Sequence, residues 1–405
     1  MAVKHTKLLL SRLVQWGVLL LMCAISLLVV GAMRDPAQSA HAMVSSAIWT
    51  TFGPHFVLMA TVGLLLGVFG IWRLTGWLPR LVSALALLAL AGSGYITTSI
   101  LSAAHQAGGQ VSFWTGLALR SMQGDGPDDW VERITFDGER TAMAIYRPED
   151  NKDAPVLLYI HGGGFKTGTS TETDRDLRWF ADQGWLVISP DYRLWTEQQA
   201  SWQLASIDVH CAAVWLQQHA ADFGGDSSRL VVMGDSAGGN LALNLTNQWA
   251  EGMQLAACEG TPPQAAAVVV QYPAVDPLAI YEHGYPVPGF EPKMLLRGYL
   301  GGNPYHYPER VAAINSYSFL TARAAPTLIL APEKDALVPP WSVYRYADYA
   351  RLAGVELELV RIPFASHVYN QLAANSIGNQ ARLSITKRFL QQHQLWPAQP
   401  APSRD

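Results

Sequence analysis

The stretch Arg229–Asn240, RLVVMGDSAGGN, decides how the chain is read. An apolar, β-branched run, Leu230 to Met233, ends abruptly at Gly234-Asp235-Ser236-Ala237-Gly238, and a helix-like pattern follows from about Asn240. A strand that turns straight into a helix leaves no room for side chains two residues either side of the turn. Glycines at 234 and 238 meet that demand and hold Ser236 on a strained, exposed corner. The corner also lies at a helix N-terminus, where free N–H groups and the macrodipole favour negative charge. That environment suits a nucleophile whose attack creates an oxyanion, although a Gly/Ser turn has the same local look.

Outward from this corner, strand and helix patterns alternate. Trp130–Phe136 and Thr141–Arg147 flank Asp137-Gly138, a hairpin signal. Short apolar runs at Val156–Ile160, Leu186–Ser189, Leu230–Met233, Ala266–Gln271, Thr327–Ala331 and Val355–Ile362 are of the buried parallel-strand type. Between them lie helical patterns, the clearest with apolar residues at Leu204, Ile207, Cys211, Val214 and Trp215. Two antiparallel starters followed by β-α-β repetition predict an α/β fold: a twisted, mostly parallel sheet with helices on both faces. Ligands on such sheets bind at the carboxyl ends of the strands, where Ser236 is expected to sit.

The first hundred residues have another character. Residues 1–104 carry six Lys/Arg (Lys4, Lys7, Arg12, Arg34, Arg73, Arg80) and one acid, Asp35, against a chain total of −4, so residues 105–405 carry −9. An acidic remainder argues against nucleic acid as a partner. Three uncharged apolar stretches, 13–33, 54–72 and 81–104, are long enough to cross a hydrocarbon core. A cleaved signal peptide is the rival for the first, but that stretch is too long and the Ala40-His41-Ala42 site too distant. Basic residues before span one and between spans two and three put those segments in the cytoplasm, leaving residues 105–405 outside. The polar span residues His55, Ser93, Thr97 and Thr98 include no ionised transport group, so the spans are expected to anchor. The expected organisation is a transmembrane region over 1–104, a linker or cap over 105–129, a catalytic domain over 130–397 and a disordered tail over 398–405. Phe113, Trp114, Leu117 and Leu119 form an amphipathic patch expected to cap that domain, with the membrane interface as its rival. Cys23 lies in span one, and Cys211 and Cys258 either pair or pack as thiols. The setting expected is a bacterial inner or plasma membrane, with the catalytic domain extracytoplasmic.

A serine hydroxyl needs a base, an orienter for that base and donors for the oxyanion. After the run ending at Ile160 comes His161-Gly162-Gly163-Gly164-Phe165. Gly163 and Gly164, with the N–H of Ala237, are candidate oxyanion donors. No Lys-Ser/Thr follows in the frame of a phosphate loop, and His161 reads as structural support. After Ala331, Asp335 is the candidate acid with Glu333 as rival, and after Ile362, His367 is the candidate base. His210 and His219 fall on a predicted helix away from strand ends.

The order Ser236, Asp335, His367 matches that of the α/β-hydrolases, and residues 154–390 resemble their hormone-sensitive-lipase-like branch. The residues that carry the resemblance are His161-Gly162-Gly163-Gly164, Asp191-Tyr192-Arg193-Leu194, Asp208 to Trp215 with Asp226, Gly234-Asp235-Ser236-Ala237-Gly238-Gly239, Tyr272-Pro273, Asp335-Ala336-Leu337 and His367. The resemblance implies a carboxylesterase or lipase without cofactor or metal, acting on small-molecule, lipid or glycan esters through Ser236, Asp335 and His367. Trp195-Thr196 stands where the family usually has Ala-Pro, and no second Asp follows Leu337. Phe165, Trp195 and the Tyr/Pro-rich insertion 281–317 are expected to wall the substrate pocket. Acyl transfer to an envelope acceptor, deacetylation and amide cleavage use the same triad and stay open, as does a non-catalytic, membrane-held binding module.

Overall fold

The computed structural model describes residues 2–135, 137–149, 152–253, 255, 257–287 and 289–397. The tail expected over 398–405 and Phe136, the expected last residue of the first strand, lie outside them. Contacts divide the chain into two compact units that do not follow chain order. The first joins Met1–Arg120 with Pro332–Lys334 and Ile362–Ser384; the second joins Ser121–Ala331, Asp335–Arg361 and Ile385–Asp405.

In the first unit α1 is Ala2–Ala32, α2 Ala40–Ala47, α3 Trp49–Arg73 and α4 Leu78–Gln106. The expected apolar stretches fall on α1, α3 and α4 to within a residue, and all three helices are long and apolar enough to cross a membrane. Leu20, Leu65 and Leu88 are exposed on their outer faces, where hydrocarbon rather than water suits them. Inside, small residues let the backbones approach. A methyl group on Gly63 would lie 2.8 Å from Met22 Sδ, and one on Gly67 2.7 Å from Ser83 Oγ. Gln15 Nε2 donates to Leu66 O at 2.8 Å. Of the polar span residues, Ser93 and Thr97 are buried and Thr98 is exposed. The segment after α4 groups with this unit: His55 Nε2 meets Leu117 O at 3.0 Å and Gly116 packs on Pro54 and Ile377.

The second unit is built on one sheet of eight strands. They are β1 Asp129–Ile134, β2 Arg140–Tyr146, β3 Ala154–Ile160, β4 Leu186–Pro190, β5 Gly225–Asp235, β6 Ala265–Gln271, β7 Thr327–Pro332 and β8 Leu357–Ile362, in spatial order β1-β2-β4-β3-β5-β6-β7-β8. β2 runs antiparallel to β1 and β4, and β4, β3, β5, β6 and β7 are parallel. The hairpin turns where expected, with Gly138 at φ +89°. The helices of this unit are α5 Asp174–Asp182, α6 Leu204–His219, α7 Ala237–Ala250, α8 Pro277–His283, α9 Pro292–Leu300, α10 Pro308–Ile314 and α11 Pro340–Leu352, while α12, Ile377–Gln392, belongs to the first unit up to Ser384 and to the second from Ile385. Proline in the first turn starts α8 just before the insertion expected as pocket wall, and α9 and α10 within it.

Burial explains the unbroken apolar runs. Val156, Leu158, Ile160, Val232 and Val270 join one core with Val209, Leu241 and Tyr346 of α6, α7 and α11. The alternate residues Leu157, Tyr159, Val187, Val231 and Met233 are equally buried, so both faces of the sheet are covered. The final strand starts at Leu357, not Val355, because the Val355 N–H bonds back to Ala350 O and closes α11 with Gly354 at φ +94°. Cys211 of α6 and Cys258 form a disulfide, with Cα atoms 5.6 Å apart.

Candidate active site

Strand order alone marks one crevice. The chain leaves β3 for β4 on one side and leaves β5 for β6 on the other, so the loops after β3 and β5 diverge at the point where ligands bind in open α/β sheets. Those loops carry Gly162–Gly164 and Ser236.

Ser236 has φ +54° and ψ −113°, a conformation rare for any residue but glycine. Its N–H donates to Gln271 O at 2.9 Å, and its carbonyl accepts from Asn240 N at 3.0 Å and Ala274 N at 3.2 Å. Three elements therefore over-determine the corner, which is how strain of this kind persists. A methyl group on Gly238 would collide with the Ile160 carbonyl oxygen, and one on Gly234 with Gly238 O. The glycines are required by backbone on all sides, as the sequence pattern implied.

The glycine loop lies against this corner. A methyl group at Gly162 would sit 3.1 Å from Asp235 O and 3.5 Å from Ser236 Cβ. Gly163 and Gly164 have φ of +97° and +62°, and the Gly163 carbonyl accepts from Lys166 N and Thr167 N at 3.1 and 3.0 Å. Among the described residues, the N–H groups of Gly163 and Gly164 find no backbone acceptor. Ala237 opens α7, where an N–H has no partner within the helix. The three candidate donors thus belong to loops packed around one serine.

His161 is fully buried, with Nδ1 2.9 Å from Gly162 O and its ring stacked on Tyr192 at 4.2 Å. The Tyr192 hydroxyl donates to His161 O at 2.9 Å. Burial pushes the imidazole down to about 4, so it is neutral at pH 7 and supports the loop. His210 is buried on α6 and accepts from Trp249 Nε1 at 3.0 Å, while His219 meets Asp222 on the surface.

Asp335 follows β7 and is buried, its Oδ1 accepting from the N–H groups of Leu337 and Val338, both at 2.9 Å. Glu333 is exposed. A carboxylate that must orient another group needs fixed oxygens, and of the two rivals Asp335 has them. His367 lies five residues past the end of β8, half-buried, in the segment that belongs to the first unit. β8 pairs with β7, the bonds Thr327 N–Glu356 O and Glu333 N–Ile362 O giving it the same direction. Each of Ser236, Asp335 and His367 therefore comes after the carboxyl end of a parallel strand.

Phe165 and Trp195 are both buried. Phe165, at φ +58°, stacks on Tyr299 with ring centres 3.7 Å apart, and its carbonyl accepts from Trp195 N at 2.9 Å. The Trp195 ring lies over Gly298, and Leu295 Cδ1 would be 2.9 Å from a methyl group on Gly164. Helix α9 is thus pressed onto the glycine loop through these two aromatics and Leu295. Sequence reasoning gave no role to Asp235. It is fully buried and accepts from Tyr159 OH at 3.1 Å and Gln271 Nε2 at 2.8 Å, tying β3 and β6 to the corner of β5. A carboxylate between buried strand residues was the available signal, since such a group survives burial only when hydrogen-bonded.

Comparison with known proteins agrees on one chemistry. The BD-FAE family model matches residues 143–344. An ethyl acetate hydrolase of Pseudomonas putida is 30% identical over 294 residues, covering 69% of this chain and 88% of its own. The probable carboxylic ester hydrolase LipM of Mycobacterium tuberculosis is 26% identical over 344 residues, 75% of this chain and 74% of its own. Among solved structures, esterase LipW from Mycobacterium marinum superposes with a TM-score of 0.52 at 26% identity, over 75% of this chain and 88% of that one. The Thermogutta terrifontis esterase 2 phosphonylated by sarin gives 0.55 at 23% identity, over 67% and 98%, a likeness of fold.

Proposed function

The chain belongs to the hormone-sensitive-lipase-like esterases of the α/β-hydrolase fold, and from that premise we propose a membrane-anchored carboxylesterase that works through Ser236, His367 and Asp335. Carboxylic ester hydrolysis is the activity of the group; the residues, the anchor and the acyl range are this proposal's own. His367 takes the Ser236 proton as the hydroxyl oxygen bonds to the ester carbonyl carbon. Asp335 fixes the imidazole and offsets its positive charge. The N–H groups of Gly163, Gly164 and Ala237 hold the tetrahedral oxyanion, and the alcohol leaves with the proton from His367. Water, deprotonated by the same imidazole, then releases the acid and restores the serine.

The observation that carries the reading is the Ser236 corner, strained at φ +54° with the glycine loop packed against it. Small and medium acyl chains are favoured because Leu295 and the Phe165–Tyr299 stack leave little room beside Gly164. The excess of basic residues before span one and between spans two and three supports a catalytic region outside a bacterial inner or plasma membrane. The Cys211–Cys258 disulfide supports that side, since such bonds persist in oxidising compartments.

The test is fluorophosphonate labelling and p-nitrophenyl ester turnover by the full chain in detergent. Ser236 carries the adduct, acetate and butyrate esters are turned over faster than palmitate, and His367→Ala is at least about a thousandfold slower. An adduct elsewhere, or an active His367→Ala, overturns the triad.

A further inference from the structure

The segment carrying His367 is strained on both sides of the histidine. Phe364 has φ +56° and Val368 φ +54°. For a β-branched residue such as Val368 this is a true outlier, and it persists only where surrounding structure over-determines it. The surrounding structure within this unit is the set of long apolar helices.

Each long helix, or the turn that ends it, reaches this segment. From α3, the buried Thr50 hydroxyl donates to Tyr369 O at 2.8 Å, two residues past His367. Gly378, at the start of α12, lies so close beneath that a methyl group there would be 2.8 Å from Thr50 Cβ. From α4, the Tyr95 ring meets the Phe364 ring edge-on with centres 5.9 Å apart. Beyond α1, Arg34 O accepts from Lys334 Nζ at 2.9 Å, while the Lys334 N–H donates to Ala365 O at 2.8 Å. The contacts thus bracket residues 364–369, with His367 between them.

We propose that the three membrane helices are more than a tether: Thr50, Tyr95 and Lys334 are positioning residues that hold the turn bearing the general base. They touch neither substrate nor reacting atoms, and act through the backbone that presents His367. A span that merely anchors needs no hydroxyl aimed at residue 369. The inference rests on the reading of His367 as base.

The experiment compares full-length variants in detergent micelles, reading kcat and KM for p-nitrophenyl butyrate. His367→Ala tests the underlying reading: if it stays active, that reading fails and this inference with it. With His367→Ala inactive, Thr50→Val, nearly isosteric, is expected to lower kcat about tenfold with KM within twofold. Thr50→Ser, which keeps the hydroxyl, restores kcat to within threefold. Met22→Ala loosens the middle of the bundle, where Met22 packs with Ile25, Ala60 and Ala86 away from the turn, and leaves kcat unchanged. A wild-type kcat in Thr50→Val overturns the inference, and so does an equal loss in Met22→Ala, which would mark general loosening.

Discussion

Two turns of this protein carry the same positive φ at a residue other than glycine and keep it by opposite means. Ser236 sits at φ +54° and so does Val368, next to His367. The serine corner is enforced from within its own sheet: Gly234, Gly238, Ile160 and Gln271 are all strand ends or the first helical turn beside it. The histidine turn is enforced by Thr50, Tyr95 and Lys334, two of them hundreds of residues away on long apolar helices. A nucleophile corner written into local sequence is portable with its fold. A turn held by another part of the chain ties the proposed base to that part.

The comparison breaks most directly at the serine. Ser236→Ala lowers kcat/KM by at least about a thousandfold and abolishes fluorophosphonate labelling while the urea midpoint stays within error. A folded variant with substantial turnover removes the corner from the chemistry. Gly238→Ala attacks the scaffold of the same corner. Its methyl group meets backbone, not a flexible side chain, so it is expected to cost more than about 3 kcal/mol in urea unfolding or to prevent folding.

Separating stability from chemistry sharpens the contrast. Cys211 and Cys258 lie outside both turns, and their bond spans a sequence separation of 47 residues. Replacing both with Ser is expected to lower unfolding free energy by about 2–4 kcal/mol while kcat at 25 °C is unchanged. A fall in kcat would show that the serine corner is less self-contained than its contacts indicate. Acid tests the loop beside that corner. The folded His161 imidazole is held at about 4 against an ordinary 6.5, so between those values the unfolded chain binds the extra proton. Its contribution is complete above pH 6.5 and is lost as pH falls toward 4, at up to about 1.4 kcal/mol per pH unit. Buried His210 is also held at about 4 and adds the same dependence, so His161→Asn is expected to reduce, not abolish, the difference in urea midpoint between pH 7 and pH 5.

The smallest expected effect is at the other turn. Val368→Gly relieves the strain at an exposed site, so the thermal transition rises by the equivalent of about 1 kcal/mol while kcat falls severalfold. An unchanged kcat would mean that the geometry of residue 368 does not matter to His367.

The glycine requirements at 234 and 238 were legible because both answer to backbone that the strand–turn–helix pattern already brings close, whereas Gly164 answers to the Leu295 side chain of α9, which no local pattern joins to it. The central strands were legible for a related reason: residues buried on both faces of a sheet must be apolar almost without interruption, and the runs Val156–Ile160 and Leu186–Ser189 show it. Boundaries slipped where a terminus made its own bond, as at Val355. Asp235 went unassigned because a buried acceptor is defined by donors on other strands, Tyr159 and Gln271, which no local pattern joins to it.

By itself, then, the sequence determined the α/β fold class, the close backbone approach at Gly234 and Gly238, and which segments are apolar enough for hydrocarbon. Tertiary structure alone decided that Asp335 is buried on two amides while Glu333 is solvated, that Cys211 meets Cys258, and that the segment around His367 packs with α3 and α4. The physical reason is range. Sterics and hydrophobic period act over a few residues and leave a pattern in the chain, whereas the burial of a carboxylate or the approach of two sulfurs depends on partners that only folding brings within a few ångströms.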